Sequence, residues 1–318
     1  MSMFPKARRW VGFMLVAGIA AAMAPSSFAH RMHPAEVVGT ASHQRILVRV
    51  MLKDLMLLSL QVEPQRTLSS LRNGRSAFDK LIEEVGEANA EMLEQSETVP
   101  GDLVERYDET VAMWRQFDES ILDALATRRV SAGQVAHLLE LGGQLGESID
   151  RLYFGYREAA NHYGVTSVLG RAIEVGERTQ AASQRVFAEY FALANSGAEA
   201  GDPRDLLDLA AEVDRRIAGL IEGDPESGLL PAPTREIRSH LVATQLLWEE
   251  ARPVLDAAVA GETASNPDIE TMVRIGGRLL DDLAEAGIML AGLMPEAQRP
   301  RPRRFDDAAA ARLDDAGA

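Results

Sequence analysis

The residues best suited to chemistry lie in one short stretch of an otherwise apolar segment. Residues 43–49 read His-Gln-Arg-Ile-Leu-Val-Arg, so that Arg49 follows Arg45 by one helical turn. A guanidinium on an apolar surface must pair with an acid, reach water along its stem, or bind an anion. Its planar fork matches the geometry of planar oxyanions. Two interpretations follow: Arg45 pairs with an acidic neighbour such as Glu36, or it binds a small anion.

The sequence shows none of the residue patterns that are typical of catalysis or metal binding. The chain has no cysteine, which excludes disulfides, thiolate zinc sites, iron–sulfur clusters and cysteine nucleophiles. None of the six histidines follows an acid by three residues, as a di-iron helical bundle requires. Adjacent acids such as Glu83 and Glu84 point about 100° apart on a helix, which is typical of a solvated face. The sequence therefore predicts no enzyme, no cofactor and no metal. Its net charge of −15 argues against a nucleic-acid partner.

Residues 1–29 have the three parts of a secretory signal peptide. Three basic residues come first, an apolar run spans 10–24, and the small residues Ser27 and Ala29 precede His30. The run is shorter than the ~20 residues that a membrane-spanning helix needs, which disfavours the rival interpretation of an uncleaved anchor. We therefore predict cleavage before His30 and a mature protein that is soluble and periplasmic.

From Glu36 onward the chain has the pattern of amphipathic helices, with apolar residues at three- and four-residue spacing. Only 5% of the residues are aromatic, which argues against an all-β protein. Breakers at 100–101 and 223–234 help to divide the pattern into eight helices. The segment 295–318 has no apolar stripe and is predicted to be a disordered tail. The expected fold class is all-α.

Three pairs of markers indicate that the eight helices form two similar sets of four. They are Gln44-Arg45 with Gln184-Arg185 at a spacing of 140 positions, Trp114 with Trp248 at 134, and Gly142-Gly143 with Gly276-Gly277 at 134. The difference of six positions predicts one shortened connection. Each set is predicted to be an antiparallel four-helix bundle, the first at 30–163 and the second at 164–294.

The junction of the two sets, from Ala132 to Asn195, is helical in pattern almost throughout. Gly164, with Thr166 or Ser167 as a new cap, is the one break. A long, continuous or kinked helix would stack the bundles end to end, whereas a turn at Gly164 would place them side by side. We favour two tandem bundles joined by the long helix.

The first helix resembles that of a known family. Residues 41–53, Ala-Ser-His-Gln-Arg-Ile-Leu-Val-Arg-Val-Met-Leu-Lys, run on to Leu-Gln-Val-Glu-Pro at 60–64. This stretch resembles the opening helix of the PilJ/NarX-type sensor domain, the N-terminal domain of type IV pili methyl-accepting chemotaxis transducers and of nitrate/nitrite sensor kinases. The usual family sequence is close to Ala-Gly-Arg-Gln-Arg-Met-Leu-Ser-Gln-Arg-Met-Ala-Lys. The matching positions are Gln44, Arg45, Leu47, Met51 and Lys53.

The helices that contain Trp114 and Trp248 also resemble the family's third helix, so the resemblance covers most of residues 36–293 in two copies. It implies a periplasmic four-helix bundle. In nitrate-sensing members the first Arg of the segment contacts the anion at a dimer interface. That role transfers to Arg45 and, by the repeat, to Arg185.

The chain departs from the family at several positions of this segment. Ser42 replaces the family's Gly, His43 replaces an Arg, and the second family Arg falls on Val50, one position after Arg49. The resemblance therefore supports the family's fold for this chain more strongly than it supports the family's ligand. The candidate ligand-binding residues are Arg45, Arg49, Gln44, His43, Arg185 and Gln184.

These observations predict an exported, non-enzymatic ligand-binding or sensory module. Nitrate or nitrite is the candidate anion. The candidate protein partners are a membrane sensor or transducer of chemotaxis or type IV pili, to which the chain would be an accessory, and a second copy in a homodimer. The alternative is a structural or protein-interaction helical protein of the cell envelope, in which Arg45 is merely paired.

Overall fold

The chain folds into eight α-helices over the ranges that the computed structural model describes, which are 34–95, 101–161, 168–196 and 203–294. The predicted signal peptide (1–29) and tail (295–318) lie outside these ranges. The helices are α1 (Pro34–Ser59), α2 (Pro64–Gln95), α3 (Gly101–Thr127), α4 (Ala132–Asn161), α5 (Val168–Ser196), α6 (Pro203–Glu222), α7 (Arg235–Val259) and α8 (Asn266–Gly292). The described ranges contain no β-strand, and one isolated bridge pairs Asp224 with Leu229. The all-α prediction is confirmed.

Each set of four consecutive helices closes into a bundle. α1 packs against α2 and α4, and α3 packs against the same two helices. In the second set α5 packs against α6 and α8, and α7 packs against those two. Arg45 pairs with Asp150, and Arg49 bonds the carbonyl oxygen of Gly142, so α1 and α4 run antiparallel. The prediction of two tandem antiparallel four-helix bundles is confirmed.

α1 is the central helix of the structure. It is buried along most of its length because it packs against α2 and α4 of its own bundle and against α5 of the second. Its sequence accordingly lacks the broad polar face of a surface helix. Fully burying one Leu or Met side chain stabilises a fold by about 1.5–3 kcal/mol. α1 contributes Met51, Leu52, Leu55, Met56 and Leu58, each at most 1% exposed. None of the described helices has the length and uninterrupted apolar run that crossing a membrane takes.

The two bundles lie side by side because α1 and α5 pack along each other in parallel. Ser42 meets Glu177 at one level, and Lys53 meets Gln184 further along. α4 is antiparallel to α1, so α4 and α5 run in opposite directions. The prediction of one long helix between the bundles is therefore wrong, because side-by-side packing buries the apolar faces of α1 and α5 against each other. The alternative break at Gly164, Thr166 or Ser167 lies outside the described residues.

The two sets correspond at a nearly constant offset. The carbonyl oxygen of Gly142 accepts a hydrogen bond from Arg49, and that of Gly276, 134 positions later, accepts one from Gln184. Gln184 is therefore the structural counterpart of Arg49, at an offset of 135 positions. By the same offset Arg185 corresponds to Val50.

This register corrects one marker of the sequence analysis. The recurrence of Gln-Arg at 184–185 is a coincidence of residue types, because Gln180, and not Arg185, stands at the position equivalent to Arg45. Gln180 donates to the Leu280 carbonyl oxygen on α8, as Arg45 contacts Asp150 on α4. No shortened connection is needed to relate the two sets.

A tryptophan–aspartate pair recurs in the two bundles at the same register. Trp114 donates from Nε1 to Asp79 Oδ1 at 2.9 Å, which ties α3 to α2. Trp248 donates from Nε1 to Asp214 Oδ1 at 2.5 Å, which ties α7 to α6. Both indole rings are buried, so each N–H needs a partner inside the protein. The shared pair supports the equivalence of the two sets.

The two Gly-Gly pairs provide a test of this packing. A Cβ at Gly142 or Gly276 would lie within 3.1 Å of a side chain of the facing central helix, whereas one at Gly143 or Gly277 meets no atom within 4 Å. We expect G142A and G276A to lower the free energy of unfolding by about 1–3 kcal/mol through overpacking. G143A and G277A should raise it by up to about 1 kcal/mol through helix propensity. Urea unfolding followed by circular dichroism measures the four values, and an equal change at all four positions would contradict the packing.

Candidate functional site

Arg45 is held by its own bundle. Its Nε pairs with Oδ1 of Asp150 on α4, and its guanidinium carbon lies 4.8 Å from the ring centroid of Tyr153. An ion pair and a cation–π contact are two ways in which a protein stabilises a guanidinium at an apolar position. Arg45 is therefore paired within the chain. The side chain of Glu36, the partner considered from the sequence, lies outside the described part of the structure.

Arg49 is buried without an acidic partner. The residue is 7% exposed, and its Nη1 donates to the carbonyl oxygen of Gly142 at 3.2 Å. No carboxylate of the described residues forms an ion pair with it. Gly146 gives the guanidinium its room, because a Cβ at that position would clash with it. A guanidinium has five N–H donors, so Arg49 keeps donors for a ligand.

Positive charge gathers around Arg49. Burial and the nearby charge of Arg185 lower the pKa of Arg49 to about 10, and Arg45 adds to the effect. The carboxylates of Asp150 and Glu189 oppose it. The other two guanidinium groups each pair with a carboxylate, Arg45 with Asp150 and Arg185 with Glu189. An anion between Arg49 and Arg185 would relieve their mutual repulsion.

Arg185 extends this cluster of guanidinium groups towards the surface. Its side chain is one-third exposed and pairs with Glu189 at 3.7 Å, one turn further along α5. It also lines a shallow groove of about 340 Å³ between α5 and α6. The remaining residues of the groove are Asp205, Asp208, Leu209, Glu212 and Arg215. Solvent and small solutes can therefore approach the cluster from the side of Arg185.

Gln184 links three helices. Its Nε2 donates to the Gly276 carbonyl oxygen on α8 at 3.0 Å, and its Oε1 accepts from Lys53 Nζ on α1 at 2.8 Å. Burial lowers the pKa of Lys53, so the neutral amide oxygen is a suitable partner for its amine. These bonds engage both ends of the Gln184 amide in the packing of α1, α5 and α8.

Gln44 faces the core of the first bundle and not the guanidinium cluster. Gln44 is fully buried, three positions after Ala41 and seven after Val37, which belong to the core of the first bundle. Side chains at these spacings share one face of a helix, so Gln44 faces that core. His43 is partly exposed. Of the six candidate residues, the structure brings three together: Arg45, Arg49 and Arg185.

A partly buried carboxyl group in the same interface was not anticipated from the sequence. Ser42 Oγ on α1 donates a hydrogen bond to Glu177 Oε2 on α5. Burial raises the pKa of Glu177 to about 7, against the opposing effects of the Ser42 hydrogen bond and the Arg45 charge. Ser42 and Glu177 are 135 positions apart, so equivalent positions of the two sets meet here. Such a contact is typical of an interface related by an approximate twofold axis.

The sequence analysis missed Asp150, which pairs with Arg45, and it did not connect Gly146 with Arg49, which that glycine admits. Asp150 gives no local signal, because its partner lies more than 100 positions away. Gly146 does give one, since it stands four positions after Gly142 and therefore on the same face of α4. Small residues at that spacing indicate that another group approaches the helix closely.

Within the described ranges, no group of three or more His, Asp or Glu side chains could hold a metal ion. The chain matches no protein-family model, no curated protein and no solved structure. The geometry of the α1–α5 interface is thus the basis for a functional proposal.

Proposed function

We propose that the protein is a non-enzymatic sensory module that binds a small planar oxyanion, nitrate or nitrite, between Arg49 and Arg185. The observation that carries the proposal is the buried guanidinium of Arg49, which bonds one carbonyl oxygen and no described carboxylate. Arg185 belongs to the second bundle and lies near enough for its charge to lower the pKa of Arg49. The sequence resemblance to nitrate-sensing domains agrees in ligand class but assigned the first role to Arg45.

The chemistry of Arg49 favours a small oxyanion over a bulky one. Its guanidinium lies over Gly146 and reaches Gly142, so the space beside it is bounded by the backbone of α4. Two parallel N–H donors of a guanidinium match two oxygens of a planar anion. Binding would also tie α1 to α5, because Arg49 and Arg185 belong to different helices. An anion with different affinity for two packings of these helices would shift the population between them.

The first test is titration of the purified full chain with nitrate, nitrite, chloride and sulfate by calorimetry. We expect binding heat with nitrate or nitrite and an affinity at least tenfold weaker in R49Q. A lost charge-assisted hydrogen bond contributes about 1.5–3 kcal/mol, and a tenfold change corresponds to about 1.4 kcal/mol. R185Q should weaken binding in the same direction.

The matched control is R274Q, because Arg274 is an arginine on α8 that pairs with Glu250 and is half-exposed. Its removal should leave the anion affinity unchanged. An absence of heat with all four anions in the wild-type protein, or equal affinities for wild type and R49Q, would overturn the proposal.

The proposed setting is the periplasm, with the chain as an accessory to a membrane sensor or transducer. This part rests on the leader-like segment 1–29 and on the sequence resemblance. N-terminal sequencing of protein recovered from the periplasmic fraction should begin at His30. Recovery of the uncleaved chain in the membrane fraction would contradict it.

The second candidate function is a structural or interaction protein of the cell envelope. The internal pairing of Arg45 with Asp150 favours it, as does the use of Gln184 to join three helices. On this alternative R49Q changes stability but no binding, since the wild-type chain takes up no anion. The calorimetric titration therefore separates the two candidates.

A further inference from the structure

Gln44 has the least satisfied buried side chain of α1. The residue is 0% exposed, and neither Nε2 nor Oε1 has a hydrogen-bond partner among the described residues. An amide buried without any partner costs several kcal/mol relative to one in water. Native cores rarely keep such a group unpaired, and internal water is a common partner.

Two hydroxyl groups share this part of the core. Thr110 Oγ1 on α3 and Ser148 Oγ on α4 lie 2.8 Å apart, and both residues are at most 1% exposed. Thr110 donates its own proton to the Arg106 carbonyl oxygen, so Ser148 is the donor of the shared bond. The Ser148 oxygen therefore keeps lone pairs that can accept a further hydrogen bond.

The register of α1 against α4 places Gln44 within one helical turn of Ser148. Arg45 pairs with Asp150, two positions beyond Ser148, and the two helices run antiparallel. Gln44 also faces the core of the first bundle, as Ala41 does. Three buried polar side chains from three helices thus lie in one layer, about one helical turn deep, of the first bundle.

The second bundle provides an internal comparison. Thr179 stands at the position equivalent to Gln44, and it is likewise 0% exposed. Its Oγ1 donates to the Val175 carbonyl oxygen at 2.7 Å on its own helix. In the second bundle, the side chain at this position forms its hydrogen bond within its own helix. In the first bundle, the larger side chain of Gln44 has two donors and an acceptor to satisfy.

We propose that Gln44, Thr110 and Ser148 form an internal hydration site that holds one or two long-lived water molecules between α1, α3 and α4 of the first bundle. A water there accepts from Gln44 Nε2 and donates to Ser148 Oγ, and a second water donates to Gln44 Oε1. The site is separate from the guanidinium cluster, and it stands whether or not the protein binds an anion.

The primary experiment is a crystal structure of the wild-type full chain at a resolution that resolves water. We expect a peak the size of a water within about 3.2 Å of the Gln44 amide, which is hydrogen-bond distance. A direct bond from both amide atoms to protein groups, or density for a larger molecule, would overturn the proposal.

A second measurement uses nuclear magnetic resonance and the variant Q44T, which copies the second bundle at this position. In the wild type, the Gln44 side-chain NH₂ should show a nuclear Overhauser cross peak to a long-lived water. Q44T should fold with unchanged helicity and hold no water in this layer. Absence of the cross peak in the wild type counts against the site. If Q44T fails to fold, the crystal structure of the wild type decides the question alone.

Discussion

Replacement of Gly146 by Ala is expected to weaken anion binding at least tenfold while the fold stays intact. A Cβ at Gly146 would occupy the space of the Arg49 guanidinium, which must then move away from α4. The backbone of α4 should tolerate the change, because Ala favours a helix interior by about 1 kcal/mol over Gly. We expect at least a tenfold loss of nitrate or nitrite affinity, about 1.4 kcal/mol, which calorimetry measures.

Gly143 supplies the matched control for this variant. It lies on the same helix, three positions earlier, and a Cβ there meets no atom within 4 Å. G143A should bind the anion as the wild type does. If G146A and G143A bind with equal affinity, Arg49 is not the anion contact. Circular dichroism of both variants shows whether the helical content is retained.

The second large effect concerns Glu177 and pH. Its pKa is about 7 in the folded chain, above its ordinary value of 4.5, because burial disfavours the carboxylate. The folded state therefore holds this proton at pH values where the unfolded chain has released it. Stability from this group is greatest below pH 4.5 and falls as the pH rises towards 7. It stays constant above that range.

E177Q should remove this dependence, since the amide stays neutral. We expect the free energy of unfolding of E177Q minus that of the wild type to grow between about pH 4.5 and 7. The gain should be on the order of 2 kcal/mol, from about 1.4 kcal/mol per pKa unit reduced for partial exposure. The measurement is urea unfolding at a series of pH values.

The control for the pH series is E147Q, because Glu147 is an exposed glutamate on α4. The free energy of unfolding of E147Q, plotted against pH, should run parallel to that of the wild type. A difference between E177Q and the wild type that is independent of pH would show that Glu177 acts through packing and not through its proton.

Helix periodicity was sufficient to predict the eight helices, because core contacts in a bundle repeat at the helical period. The predicted breaks at 100–101 and 223–234 fall between helices or at their ends, and Thr234 caps α7 by accepting from the Ile237 N–H. Both features depend on residues close together in the chain, which a sequence displays directly.

The register between the two sets of helices and the partners of the polar side chains were not predictable in the same way. The Gln-Arg recurrence misplaced Arg185, because identical residue types at two positions do not require equivalent environments. The partners of Arg45 and Ser42, Asp150 and Glu177, are more than 100 positions away. The long joining helix was predicted from local periodicity alone. The side-by-side arrangement of the bundles depends instead on the burial of α1 against α5, which is a tertiary effect.

The parallel packing of α1 and α5 within one chain has a consequence for how this interface can evolve. In an assembly of identical subunits, every mutation appears on both sides of the axis at once. Here each side is encoded separately, so one side can keep Arg49 while its counterpart is Gln184. A specialised half and a supporting half can then arise without repulsion between duplicated charges.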